Sequence, residues 1–281
     1  AHACRFEDLP MGLLRGSTIL CCVDSRAARQ AVNRSARALD LAWIDAALSR
    51  EGHVRGRVYL PGPASDCLEC SWGTTDYELL EQRLPCQSPA GEPASTDAPI
   101  ELGAIAAAIQ VALLRRLGSG PEAVDVIAGQ QWFYDLPSGR GWTGRYSANP
   151  ACRLDHAPWD ISVLEPGSAR TSLADALALA GPPSADNTLA VPGRVFVRRM
   201  RCPACGSAWR IQCRLSGRVA TTVCPGCRVP LLASALDADE LLQAGRVSAA
   251  VLREPLTRRG LVAGDVIEVG AGRATRHFQL A

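Results

Sequence analysis

Lysine is absent from the 281 residues, and all 30 basic side chains are arginine. That excludes a Schiff-base lysine, the lysine of a P-loop and attachment of a modifier through an isopeptide bond to this chain. A GC-rich genome accounts for the bias. An excess of one charge is missing too. The formal net charge is +2, so there is no polybasic character for bulk nucleic-acid binding. Long apolar runs are lacking: the longest, Leu102 to Leu114, is short and alanine-rich, and Arg115 and Arg116 close it. It is too short to span a bilayer. No basic-then-apolar ramp with a small-residue cleavage site stands at the start, so no secretory signal is read there. The first residue is Ala1 rather than Met, which is compatible with a processed or truncated amino terminus.

What is present reads as globular. Hydrophobic residues make up 47% and charged residues 21%, and the length suits one or two domains. Twelve cysteines stand out. Without a secretory signal, metal binding or catalysis is the stronger reading and disulfides the weaker. Cys202-Pro-Ala-Cys205 and Cys224-Pro-Gly-Cys227 are separated by eighteen residues, the spacing of a zinc ribbon. Each C-x-x-C is a tight knuckle that aims two thiolates at one point, and two knuckles complete a tetrahedron. A third pair, Cys67-Leu68-Glu69-Cys70, needs partners from elsewhere. Cys152 and His156, four apart after Asn149-Pro150, could supply them and close a Cys₃His site. With 81 residues between Cys70 and Cys152, spacing alone leaves that site and unpaired cysteines equally open. Cys21 and Cys22, in an apolar run, read as small hydrophobes packed in a buried strand. Cys4 and Cys213 carry no assigned role.

Periodicity gives the organisation. Residues 19–23 form a buried strand ending in Asp24, Ser25 caps a helix to residue 39, and 41–46 forms the next strand: a βαβ unit. Another strand covers 56–60. Residues 73–99 are a long Pro/Ser/Thr/Gly-rich loop with a short helix at 76–82. It carries Cys86. Residues 100–117 form a helix with Arg115 and Arg116 in its last turn. Strands are expected at 124–127 and 132–136, and a linker with one helix (173–180) over 157–193. A helix is expected at 237–243, then strands at 265–269 and 277–280 around a glycine turn.

The ordered set over residues 18–156 resembles the carboxyl-terminal half of the adenylation domain of ThiF/MoeB/HesA proteins, prokaryotic relatives of ubiquitin-activating enzymes. The residues that carry the resemblance are Cys22-Val23-Asp24 with Arg29 and Asn33, the segment Arg50–Gly56, and Val58–Pro63 leading into Cys67 and Cys70. After them come a loop cysteine, a small-residue helix, Tyr134-Asp135, and Asn149-Pro150-Ala151-Cys152. The resemblance implies an α/β fold, half of a Rossmann-like domain with a structural zinc site. It implies that Asp24 holds Mg²⁺ near the phosphates of ATP. It implies that Cys67 and Cys70 bind zinc. The family usually closes that site with a second C-x-x-C; here Cys152 and His156 take its place. It implies that Cys86 takes the activated carboxylate, as in those members that form a covalent adduct.

The organisation expected is a partial adenylation domain at 1–159, a linker at 160–193, a zinc ribbon at 194–234, and a small helix and β-hairpin segment at 235–281. The implied function is ATP-dependent adenylation of the carboxyl terminus of a ubiquitin-like or sulfur-carrier protein, with transfer to Cys86. The family's G-x-G-x-x-G loop and the Arg and Lys that act on the phosphates are missing upstream of Asp24. A fragment of a longer, cytoplasmic protein is therefore the expectation, and this chain alone is expected to be inactive. A homodimer is compatible, since relatives are often dimeric, and no membrane partner is expected. Two other readings compete. One is a non-catalytic zinc-binding interaction module. The other is a ribbon that binds nucleic acid through Arg194, Arg198, Arg199, Arg201, Arg210, Arg214 and Arg218, with Phe196 and Trp209 interleaved, a basic patch that protein docking explains equally well.

Overall fold

The computed structural model describes residues 2, 4–49, 51–81, 100–215, 223–233, 238–272 and 274–281. They form two compact units, residues 15–159 and residues 1–14 with 160–281, and both mix helices and sheets. Among the described residues no helix is long and apolar enough to cross a membrane.

In the first unit, β1 (Ile19–Cys21) leads to α1 (Arg26–Ala38) and β2 (Trp43–Leu48). The Ser25 hydroxyl accepts from the Ala28 N–H at 3.1 Å and caps the helix. β1 and β2 are parallel, with Ile19 opposite Trp43, so the βαβ unit is present. β3 (His53–Tyr59), α2 (Thr74–Glu81), α3 (Ile100–Leu117), α4 (Pro121–Ile127), β4 (Gln130–Asp135) and β5 (Arg140–Arg145) follow. The sheet order is β1-β2-β3-β4-β5, antiparallel after β2.

Helix α3 covers one face. Its Leu102, Ala106 and Leu113 are buried, as are Ile44, Val54 and Val58 of the strands beneath. The contact is close at one point: a Cβ on Gly56 would lie 2.3 Å from Ile109 Cγ2. Glycine in mid-strand is explained by that approach. On the opposite face Trp43 stacks on Tyr59 with centroids 4.3 Å apart. Beside them, buried Asp45 and Arg57 are cross-strand neighbours.

The stretch 124–127, expected as a strand, is the end of helix α4. Gly120 turns at φ 100°, Pro121 takes the first helical position and Glu122 the first turn. These helix-start signals outweigh the β-branched run that follows.

The second unit contains β6 (Ile161–Leu164), α5 (Leu173–Ala178), β7 (Thr188–Ala190), β8 (Phe196–Arg201), β9 (Ala208–Leu215), β10 (Leu232–Ala233), β11 (Ala238–Asp239), β12 (Leu241–Gln243), α6 (Ala249–Leu252), β13 (Val266–Ala271) and β14 (Ala274–Leu280). One sheet has the order β12-β7-β13-β14-β6, and β8 pairs with β9, β10 and β11 in another. The first sheet and α5 enclose a core that includes Leu173, Leu189, Phe196, Leu256, Ile267 and Phe278.

Four expectations differ here. Residues 160–193 are no linker: they supply two strands and a helix to this core, and Leu173, Leu177 and Leu189 are buried. Their short segments are ordered by pairing with strands far along the chain, as Thr188 with Gly270. β12, β13 and β14, expected in a separate segment at 235–281, are accordingly strands of the same sheet. The described part of 237–243 is extended, because Leu242 is buried opposite Leu189 while Leu241 is exposed, a period of two. Residues 1–14, expected in the first domain, belong to this unit, where the Gly12 N–H donates to the Gly264 carbonyl at 2.8 Å.

Gly56→Ala should destabilise the protein by about 1–3 kcal/mol, because Ile109 is β-branched and cannot rotate away freely. In an Ile109→Ala background the same change should cost much less. Urea denaturation of the two single variants and the double variant measures the coupling, and additive effects would refute the contact.

Candidate functional site

Cys67 begins a 3-10 turn, Leu68–Ser71, that also carries Cys70, while Cys152 and His156 lie on the loop after β5. One ligand atom from each of the four lies within 4.8 Å of the others. Cys67 Sγ is 3.8 Å from Cys152 Sγ, and Cys70 Sγ is 3.4 Å from His156 Nε2. A tetrahedral metal at ~2.3 Å from sulfur and ~2.0 Å from nitrogen requires edges of ~3.8 and ~3.5 Å. The donor set therefore fits a metal ion in both chemistry and spacing. Asn149 explains the Asn-Pro step. Its N–H donates to Cys70 Sγ at 3.3 Å, its side-chain amide donates to the Cys70 carbonyl at 3.3 Å, and its side-chain oxygen accepts from Ala151 at 2.9 Å. Burial, with Cys70 and Cys152 alongside, pushes the Cys67 thiol well above its usual range. A bound cation would reverse that shift and release protons.

Helix α1 grips this turn through one polar face. Asn33, fully buried, accepts from the Leu68 N–H at 3.0 Å and donates to Glu69 at 3.4 Å. Arg34 donates to both oxygens of Glu69, at 3.0 and 3.1 Å, and Gln30 adds a bond at 3.0 Å. Burial raises the Glu69 pKa, but the hydrogen bonds from Arg34 and Gln30 outweigh it and hold the carboxyl below its ordinary value. Buried Arg37 reaches the carbonyls of Leu60, Gly62 and His156 at 3.0, 2.6 and 3.0 Å. Periodicity scatters Arg34 and Arg37 around the helix; the structure sets them on the metal side.

The second group is Cys202, Cys205, Cys224 and Cys227, also within 4.8 Å of one another. Cys202 and Cys227 sulfurs are 3.1 Å apart, and Cys205 and Cys224 sulfurs 3.7 Å. The two knuckles share one turn geometry. Gly206 donates to the Cys202 carbonyl and Arg228 to the Cys224 carbonyl, each at 2.9 Å, and both residues are left-handed, with φ 70° and 61°. Both Cys/His groups could thus hold a metal ion. Two of the arginines near the second group are paired with carboxylates. Arg194 is buried with Asp265 at 3.4 Å, and Arg198 pairs with Asp239 at 2.7 Å. Arg218 lies outside the described residues.

Asp24 is exposed at the carboxyl end of β1 and lines a cleft of about 300 Å³ with Cys22, Arg29, Gly103 and Gln110. Cys22, expected to be buried, is exposed on this cleft with its thiol 3.4 Å from Gln110 Oε1. The strand ends two residues earlier than the apolar run implies. Cys21 is buried as expected, and burial first of all pushes its thiol up to about 11. Arg29 is held by Asp45 at 2.9 Å. Cys86 lies outside the described residues, so no geometry joins it to Asp24.

A larger cleft, about 520 Å³, lies on the sheet face opposite α3, lined by Arg26, Arg29, His53, Arg55, Phe133 and Trp142 among others. Phe133 and Trp142 stack with centroids 5.3 Å apart. Sequence reasoning missed it because β5 was not foreseen, although Pro137-Ser138-Gly139 before Arg140–Arg145 is a hairpin signal.

No family model and no curated protein matches the chain. Over part of its length it is similar to solved structures of E. coli MccB. The complex with AMPCPP and selenomethionyl MccA is 16% identical, covers 49% of this chain and 39% of that one, and has a TM-score of 0.34. The complex with ATP is 16% identical over 49% and 38%, with a TM-score of 0.34. MccB alone is 14% identical over 53% and 41%, also at 0.34. The chain spans about two-fifths of the length of these structures.

Protein purified without chelator should carry two equivalents of metal. Cys202→Ser should remove one and Cys152→Ser the other, read by elemental analysis. Structural sites of this kind contribute about 10–16 kcal/mol of apparent binding free energy, so loss of metal should melt the segment concerned. A metal content near zero would overturn the assignment.

Proposed function

We propose that residues 15–159 are the carboxyl-terminal part of a ThiF-type adenylation domain. The protein to which they belong would use ATP to adenylate the carboxyl terminus of a ubiquitin-like or sulfur-carrier protein. The observation that carries this reading is the meeting of Cys67, Cys70, Cys152 and His156. The ordered motifs that resemble the family put these residues in one site, and in the fold their ligand atoms lie within 4.8 Å of one another. The parallel β1–α1–β2 unit adds support, because a carboxylate at the carboxyl end of a parallel strand stands where α/β folds bind nucleotides.

In this reading residues 194–234 are a zinc ribbon, and both Cys/His groups hold zinc, each closed by four protein ligands and hence structural. Asp24 holds magnesium beside the nucleotide. Magnesium–ATP supplies the electrophilic α-phosphate and neutralises the charge that builds there. The carrier's carboxylate attacks that phosphorus, an oxygen–phosphorus bond forms and pyrophosphate leaves. In the second step the Cys86 thiolate attacks the acyl carbon and AMP departs, leaving a thioester. A homodimer and the cytoplasm, where ATP is present and thiols stay reduced, complete the reading.

ATP–pyrophosphate exchange by the intact gene product with its carrier is the test. Asp24→Ala should lower exchange by roughly a hundredfold. Cys86→Ala should keep exchange and abolish the covalent adduct, since the two steps use different groups. No exchange with any carrier would favour the non-catalytic interaction module instead, and full exchange in Asp24→Ala would remove Asp24 from the magnesium site.

A further inference from the structure

Glu69 contributes no ligand to the metal group, yet it is 1% exposed. A charged residue between two metal-binding cysteines could point to solvent at no cost, and burying it needs partners. Three of them come from α1: Gln30, Asn33 and Arg34, spaced to lie on one face of the helix. Arg29 and Arg37 of the same helix are tied elsewhere, to Asp45 and to the carbonyls of Leu60, Gly62 and His156. The buried apolar residues of the helix are Val32, Ala36 and Ala38, all small or medium in size. Roughly 14 Å from Arg34 along the helix axis, the same helix begins beside Asp24. Its first turns also carry Arg29, and both Asp24 and Arg29 line the cleft of about 300 Å³.

We propose that Glu69 is a positioning residue. It converts metal binding at Cys67, Cys70, Cys152 and His156 into a fixed docking of α1, and through α1 it sets Asp24 and Arg29 at the cleft. The metal orders the turn that carries Glu69, and Glu69 then presents both carboxylate oxygens to the helix. Arg34 is the bidentate partner, and Asn33 joins the two halves by bonding the turn's backbone and Glu69 together. The role given to Asp24 rests on the adenylation reading; the coupling of metal to helix does not.

Amide hydrogen exchange of the zinc-loaded 281-residue protein tests the coupling without nucleotide, so its outcome is separate from that of the pyrophosphate assay. Glu69→Gln should retain both metal equivalents and, with cobalt in place of zinc, an unchanged thiolate charge-transfer spectrum. Amides from Asp24 through α1 should nevertheless exchange at least about tenfold faster, because a neutral amide turns donors toward Gln30 and Asn33. Arg34→Gln, at a half-exposed side chain that leaves the core untouched, should do the same and stands in if Glu69→Gln fails to fold. Cys67→Ser should lose one metal and the α1 protection together. Cys202→Ser should lose the other metal and leave α1 as it was. Wild-type exchange of α1 in Arg34→Gln or Cys67→Ser would overturn the proposal, as would equal loss of protection in Cys202→Ser.

Discussion

One buried carboxylate organises the first unit. Glu69 sits between two cysteines and inside a ring of donors from α1, so the turn that gathers the thiols and the helix that borders the Asp24 cleft share one set of hydrogen bonds. In a low-dielectric setting such a network is strong when complete and costly when broken. It constrains the turn, the helix and the loop that brings in His156, whose carbonyl is held by Arg37 of the same helix.

The two cysteine groups reach the same geometry by different routes. In the second group each knuckle is local, and the repeated turn, glycine in one case and arginine in the other, shows that backbone geometry dominates over side-chain preference. An arginine at φ 61° is an uncommon conformation, and here it lets the Arg228 N–H reach the carbonyl of Cys224. The first group is built from a turn and a distant loop. The pairing of β3, β4 and β5 carries the chain back so that Cys152 meets Cys67.

The sheet has two unlike faces. Alanines and branched side chains of α3 pack on one, so tightly that β3 needs a glycine under Ile109. The other is polar and aromatic, and it bears the larger cleft beneath the stacked Phe133 and Trp142. Among the described residues, helix packing thus occupies one surface and a cleft lies on the other.

The sequence by itself determined what depends on near neighbours. The two knuckles at Cys202 and Cys224, the Ser25 cap, the first βαβ unit, the helix over 100–117 and the terminal hairpin all follow from residues within one turn or one strand of each other. The tertiary structure decided what depends on distant ones. Spacing could not choose partners for Cys67 and Cys70, because 81 intervening residues carry no local signal of closure. Nor could it bury Glu69 and Arg37, whose charges are read as solvent-facing until a partner is found. The strands of 160–193 are too short to be seen without β13 and β14, and Cys22 changes from core to cleft because the strand stops at Cys21. In each case a local preference of well under a few kcal/mol is overridden by contacts formed only when the chain closes on itself.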